Sequence, residues 1–284
     1  MPYRLAAVSF LNTLPLIEWF AVTGDPRVTL ERALPSRLPD ILFGGGADAA
    51  LLPTVEILRG GCGLLGSTGI AGLGAVDSVK LFYRGDSGEL GSLTRIAVDR
   101  GSRTSVALLR ILLAEIAGAR PEFHEIEPKP GQPLVPGEGV LVIGDRCFEF
   151  DRWRREHPAG AQVSALDLGQ AWHDLTGLPF VFAAWAAAPG FPAVAGAGRV
   201  AELSGLLTAA REYGLAHLDP LVAREAAAGR LGRNGEATAA ALDYYFRHSL
   251  RFRLEAQELA GMRCFHELCV AHGLAPSSPG PFVL

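Results

Sequence analysis

The stretch Arg4-Leu5-Ala6-Ala7-Val8-Ser9-Phe10-Leu11-Asn12-Thr13-Leu14-Pro15-Leu16-Ile17 decides the reading of this chain. Its first half is a short apolar run rich in strand formers. From Leu11 to Phe20 the apolar residues fall at helical spacing: Leu11, Leu14, Ile17 and the Trp19/Phe20 pair. Between them, Ser9-Phe10-Leu11-Asn12-Thr13 reads as a strand-to-helix turn. The pattern then repeats. Residues 28–33 read as a second strand, 37–44 as a short helix stopped by Gly44-Gly45-Gly46, and 47–52 as a buried strand ending at Pro53. Strand-helix-strand-helix-strand alternation predicts a parallel α/β sheet.

Farther along, Gly66-Ser67-Thr68-Gly69-Ile70 reads as a polar, glycine-flanked turn, and 76–84 as a strand. The turn-rich Gly85-Asp86-Ser87-Gly88 and Gly91-Ser92 mark a crossing into a second α/β unit. That unit holds a strand at 94–98, a periodic helix at 104–117, a strand at 123–126, and a loop at 129–139. An apolar strand at 139–143 then ends in Gly144-Asp145. A long return segment leads to the apolar run 180–185. From 200 onward the pattern is all helical: 200–213, 220–228, 235–250 and 256–272. The expected architecture is α/β with two lobes, a central cleft and C-terminal helices. Lobe I is 1–83 with 187–284; lobe II, 84–186, is inserted into it. Ligands of such folds bind at the carboxyl ends of strands, where helix N-termini face the gap.

The composition excludes several classes. A chain of 284 residues exceeds what one core usually serves, which favours two lobes. With 26 basic and 30 acidic side chains there is no global pull toward nucleic acid or an anionic membrane. No apolar run approaches the ~20 residues of a spanning helix. Lys80 and Lys129 apart, every basic residue is arginine, a skew that base composition explains better than anion binding. Cys62, Cys147, Cys264 and Cys269 are widely spaced, so buried thiols are expected rather than disulfides or a zinc site. The N-terminus moves straight into a strand without a signal-peptide pattern, which reads as cytoplasmic. No dinucleotide fingerprint, Walker motif, nucleophile elbow or His-Glu-x-x-His pair is present, so no cofactor or metal is expected. The C-terminal aromatics Tyr244, Tyr245, Phe246, Phe252 and Phe265 fit core packing better than an interface, and no oligomer is predicted.

Four places carry candidate chemistry. Gly101-Ser102-Arg103-Thr104-Ser105 opens a long helix. Ser102 stands at the N-cap position, and the hydroxyls and the Arg103 guanidinium surround unsatisfied N–H groups, which favours an anion. Three hydroxyls and a guanidinium exceed what capping alone needs. Ser9 with Asn12 forms a second polar helix opening; taken alone, a plain cap explains it. Ser67 and Gly69 form a third candidate, with a simple loop as the equal alternative. Gly144-Asp145 is the fourth; its carboxylate is a candidate base or an orienting group, with helix capping equally open.

Several motifs in order resemble one family. Val8-Ser9-Phe10-Leu11-Asn12-Thr13-Leu14-Pro15-Leu16, Asp99-Arg100-Gly101-Ser102-Arg103-Thr104-Ser105 and Val142-Ile143-Gly144-Asp145 are similar to the chorismate dehydratases of the futalosine route to menaquinone. So are Asp167-Leu168-Gly169-Gln170-Ala171-Trp172 and Thr176-Gly177-Leu178-Pro179-Phe180-Val181-Phe182-Ala183-Ala184-Trp185. The resemblance implies a fold like the type II periplasmic binding proteins. It implies conversion of chorismate, a small dicarboxylate, to 3-(1-carboxyvinyloxy)benzoate and water without a cofactor. On that reading Ser102, Arg103, Thr104 and Ser105 hold a carboxylate, with Ser67, Gly69 and Gly144 against the substrate. Asn12 and Ser9 lie by the reacting carbons, and Asp145 is the one ionised candidate base. The alternatives are a non-catalytic carboxylate sensor of the same fold and the sibling dihydroxynaphthoate synthase.

Overall fold

Strand β1 (Tyr3–Val8) exposes only Arg4. It passes through a 3-10 turn (Leu11–Thr13) into α1 (Leu14–Thr23), which ends at Gly24 in the left-handed conformation that C-terminal glycines supply. Then follow β2 (Val28–Ala33), α2 (Leu38–Phe43), β3 (Ala49–Pro53), α3 (Thr54–Leu58) and β4 (Gly63–Gly72). The next unit comprises β5 (Val79–Arg84), β6 (Arg95–Asp99), α4 (Arg103–Ala117), β7 (Glu122–Ile126), β8 (Glu138–Ile143), α5 (Arg146–Glu156), β9 (Val163–Asp167) and α6 (Leu168–Thr176). The chain closes with β10 (Phe180–Ala187), α7 (Phe191–Ala216), α8 (Leu218–Ala227), α9 (Glu236–Tyr244), a π turn (Tyr245–Ser249), β11 (Arg251–Arg253) and α10 (Ala256–Ala271). The structure, a computed structural model, describes residues 1–85, 87–99, 101–229, 231 and 236–277. Arg100 of the motif above, and Gly235, where a helix was expected to begin, lie outside them.

Two sheets result. The first runs β11-β4-β10-β3-β1-β2 and the second β7-β6-β8-β5-β9. β1 pairs parallel with β2 and β3, and β6 parallel with β7 and β8, as the alternation predicts. β10 is antiparallel to both its neighbours, and so is β5. Antiparallel neighbours need no helical crossover, so a strand arriving from the other lobe slots in directly. Each sheet is packed on both faces: Leu5, Leu51 and Trp185 face one core, and Ala6, Leu52 and Leu64 the opposite one. Leu81, Ile96 and Leu141 pack against α4 and α6, whereas Phe82, Val140 and Phe150 close the other side.

Strand pairing puts β5 with the second sheet and β10 with the first, one strand away from the expected divisions at 84 and 186. The turn signals at 85–92 follow β5, as expected, but they join two strands of the second sheet rather than mark a crossing. The chain passes between sheets at 73–78 and 177–179. Residues 66–70 are not a turn. They lie within β4, hydrogen-bonded to β10 and β11, where glycines accompany register shifts against β10. The return segment holds α5, β9 and α6, which short apolar runs had hidden. The C-terminal part is not all helical, since β11 buries Phe252 between outward Arg251 and Arg253.

Polar groups fix the crossings. The Asp167 carboxylate accepts from the N–H groups of Val76 and Asp77 on one crossing, and of Gly169 and Gln170 at the start of α6. Burial raises its pKa even so. Asp77, the one non-glycine with positive φ among the described residues, bonds Ser249 Oγ at 3.0 Å. Lys80, buried, pairs with Asp77 at 3.1 Å and with buried Asp151. Burial draws the Asp151 carboxyl upward, but the Lys80 hydrogen bond and charge outweigh it and hold it below its ordinary value.

Asp151→Ala leaves the Lys80 ammonium buried with only Asp77, and chemical denaturation should show a loss of about 3 kcal/mol. A depressed carboxyl stabilises the fold above its unfolded pKa, and that stability drains as the pH falls through the folded one. The native chain should therefore weaken below about pH 4, and the variant should show less of that decline. Equal acid sensitivity would show that the pair contributes nothing.

Candidate functional site

Four strand ends point at one place. β1 delivers Val8, Phe10 and Asn12; β3 delivers Leu51 and Pro53. From the second sheet, β6 leads to 101–105 and β8 to Ile143 and Gly144. β1 and β3 run parallel in one sheet, β6 and β8 parallel in the other, so all four present carboxyl ends. Ile70, Phe182 and Ala183 form a further wall, with Ser78, Val79 and Leu250 beside the crossing. The walls are mainly apolar, and among the described residues no Asp or Glu lines them.

The polar groups concentrate at the start of α4. Ser102 stands at the N-cap position, yet its side chain makes no capping bond. Its Oγ is buried and has no partner among the described residues. Thr104 Oγ1 is engaged, accepting from the Val55 N–H at 3.2 Å across the cleft. The N–H groups of Thr104 and Ser105 lie in the first turn, where no intrahelical acceptor exists, and no described residue accepts from them. Here α4 presents two free donors, an unpaired hydroxyl and its dipole to the cavity, the setting that holds an anion.

Arg103 reaches the other lobe. Its Nη1 lies 3.2 Å from Glu56 Oε1, which also takes Arg59 at 2.7 Å. Its guanidinium is thus a clasp between lobes rather than a free fork, because the buried Glu56 carboxylate needs its positive partners. Asp145 does not line the main cavity. It borders an adjoining recess with Pro35, Asp99 and Arg146, and its Oδ1 accepts from the Leu11 N–H at 3.0 Å. It does not cap α5 by a side-chain bond; it pins the turn that carries Phe10 and Asn12. Gly144 is required twice over: its φ is +66°, and a Cβ there would lie 3.2 Å from the Phe10 ring. Asn12 is half-buried in the wall, its Oδ1 accepting from Thr13 Oγ1 at 3.3 Å.

The cavity therefore brings together Asn12, Gly144, Ser102, Arg103, Thr104 and Ser105. It does not gather Ser9, Ser67 or Gly69. Ser9 is exposed and borders a separate recess with Glu18, Arg32 and Arg224. Ser67 is exposed on β4, its carbonyl taken by Arg211 and by the Leu254 N–H. A Cβ on Gly69 would lie 2.7 Å from the Ala183 carbonyl oxygen, so that glycine serves strand packing; its neighbour Ile70 reaches the cavity. Ser78 was missed. It is buried in the crossing, and its hydroxyl bonds the fully buried Tyr245, whose phenol burial pushes far up against that bond. No local pattern marks Ser78, because only the passage between sheets brings it to the wall. Among the described residues no group of three His, Cys, Asp or Glu side chains is placed to hold a metal. No helix of them is long and apolar enough to cross a membrane.

Two α/β sheets around an anion-accepting cleft define the periplasmic-binding-protein-like class. Solved structures agree. Protein AF1704 of Archaeoglobus fulgidus superposes with a TM-score of 0.66 at 15% identity, covering 96% of this chain and 98% of that one. A Candida albicans protein described as exhibiting the generic periplasmic binding protein fold gives 0.65 at 11% identity, covering 98% and 92%. The aliphatic sulphonate binding protein SsuA of Escherichia coli gives 0.60 at 13%, covering 97% and 89%. A family model described as menaquinone biosynthesis matches residues 3–271, and the chain belongs to that family. It is 33% identical over 278 residues, 94% of each chain, to the chorismate dehydratase of Thermus thermophilus.

Gly144→Ala should cost about 1–3 kcal/mol, the range for a strained left-handed residue, and should displace the Phe10 ring. Urea denaturation measures the first, and a wild-type midpoint would show that the turn tolerates a side chain.

Proposed function

We propose that this chain is a chorismate dehydratase, a hydro-lyase that converts chorismate to 3-(1-carboxyvinyloxy)benzoate and water. The observation that carries the reading is the start of α4, where free N–H groups and the unpaired Ser102 hydroxyl open onto an otherwise apolar cavity. Such a site suits a ring compound bearing carboxylates: an anion at the helix start, the ring against Phe10, Leu51 and Phe182. The family and the Thermus thermophilus relative support the same substrate.

The chemistry asks little of the protein. The ring C–H beside the enol ether breaks, and its electron pair becomes a ring π bond. The adjacent C–O bond breaks, and hydroxide leaves and takes up a proton as water. Nothing is oxidised or reduced overall, and aromatisation drives the step. Three tasks remain: hold the dianion, exclude water, and place a proton acceptor. With no carboxylate among the described residues of the cavity wall, a carboxylate of the substrate itself takes the proton. Asn12 orients that carboxylate or the departing hydroxyl. Ser102, Ser105 and the first N–H groups of α4 anchor one carboxylate, and Ser78 adds a hydroxyl. Asp145 acts as a positioning residue through Leu11.

Incubation with chorismate should produce aromatic absorbance; saturable binding without it would mean a sensor, and no interaction would refute the assignment. Asn12→Ala should lower kcat far more than it raises KM, and an unchanged kcat would remove Asn12 from the mechanism. Ser102→Ala should leave stability within about 0.5 kcal/mol, because the hydroxyl has no protein partner. It should raise KM roughly tenfold; an unchanged KM would place the anion elsewhere.

A further inference from the structure

Away from the cleft, a second cavity of about 240 Å³ lies between the C-terminal half of α4, β7 and the end of α10. Arg110 and Ala114 border it from α4, Arg120 and Phe123 from the approach to β7 and from β7 itself, and His272 and Leu274 from beyond α10. The Arg110 guanidinium carbon sits 4.0 Å from the centroid of the Phe123 ring. That stacking fixes the guanidinium but supplies no negative charge.

Neither Arg110 nor Arg120 has a hydrogen bond or ion pair to a described residue. Arg110 is exposed, and the partial desolvation of its guanidinium lowers its pKa. In two other polar recesses the arginines have carboxylate partners: Arg224 with Glu18 and Glu225, Arg251 with Glu258. His272 of the rim engages the Glu115 carboxylate through Nε2 at 2.7 Å. Two exposed forks without a polar protein partner among the described residues therefore border one recess whose remaining wall is alanine, proline, leucine, Phe123 and His272.

We propose that this recess binds a small carboxylate carrying an apolar or aromatic body. The two forks take the carboxylate through charge-assisted bonds. The body lies on Ala114 and Leu274, which a bare inorganic anion leaves uncovered. The site stands apart from the cleft, and its occupation does not depend on the reaction assigned there.

Benzoate is the probe. The full chain is treated with phenylglyoxal, and modification of each arginine is followed by peptide mass mapping, with and without benzoate. Reading single residues separates this site from any benzoate held in the cleft beside Arg103. Benzoate should slow modification of Arg110 and Arg120 severalfold, while Arg155, likewise exposed but outside the recess, is unaffected. Arg120→Gln, on the surface, should weaken benzoate binding at this site roughly tenfold, and Arg110→Gln should do likewise, each with an unchanged circular dichroism spectrum. Unaltered modification of both arginines would overturn the site. Protection by inorganic phosphate equal to that by benzoate would overturn the ligand class.

Discussion

The half-buried carboxylate of Asp167 holds the first place where the chain changes sheets. It gathers N–H groups from 76–77, on the way into the second lobe, and from 169–170, at the start of α6 within that lobe. Val76 and Asp77 sit in neither helix nor strand geometry, and Gly169 and Gln170 lie in the first turn of α6, where no intrahelical acceptor exists, so this carboxylate supplies the acceptor all four need. Asp77 beside it carries a left-handed backbone and ties to Ser249 and Lys80. This knot anchors the entry to β5, on one side of the gap between the sheets.

The cleft depends on that geometry because its walls come from both sheets. Three contacts span it: Val55 N–H to Thr104 Oγ1, Arg103 to Glu56, and Leu11 N–H to Asp145. Each employs a residue from a helix-opening motif. They consume the charged groups and leave neutral donors facing inward. An anion entering there meets oriented N–H and O–H dipoles in an apolar surround, where such dipoles act strongly. This arrangement suits an elimination whose driving force resides in the substrate ring, because the protein needs to orient rather than to supply a strong base.

Much of this was legible along the chain. Helix and strand periodicity located β1, α1, β2, β3, α4 and β8, since each buries a continuous face. The strand-to-helix turns at 9–13 and 101–105 pointed to the cleft because a parallel strand places its following turn at the ligand-binding edge. Ser67 and Gly69 misled for a physical reason. Glycines inside a strand look like a turn, yet here they permit close approach of the Ala183 carbonyl and Leu254. Ser9 misled because one residue of offset at the end of β1 turns a side chain to the opposite face. The short strands β9 and β11 carry too few residues for a periodic signal.

The sequence by itself determined the α/β class, the two units and the helix start with free N–H donors, because these rest on local periodicity and backbone donors. It also carried the family, through motifs spread from residue 8 to residue 185. Only the tertiary structure decided which hydroxyls remain free. Thr104 is consumed by Val55, Arg103 by Glu56 and Asp145 by Leu11, whereas Ser102 stays unpaired and Ser78 joins the wall. Each of those outcomes is set by a partner more than 40 residues away in the chain or by the passage between sheets. A local pattern specifies a group's chemistry; its availability depends on what the fold brings against it.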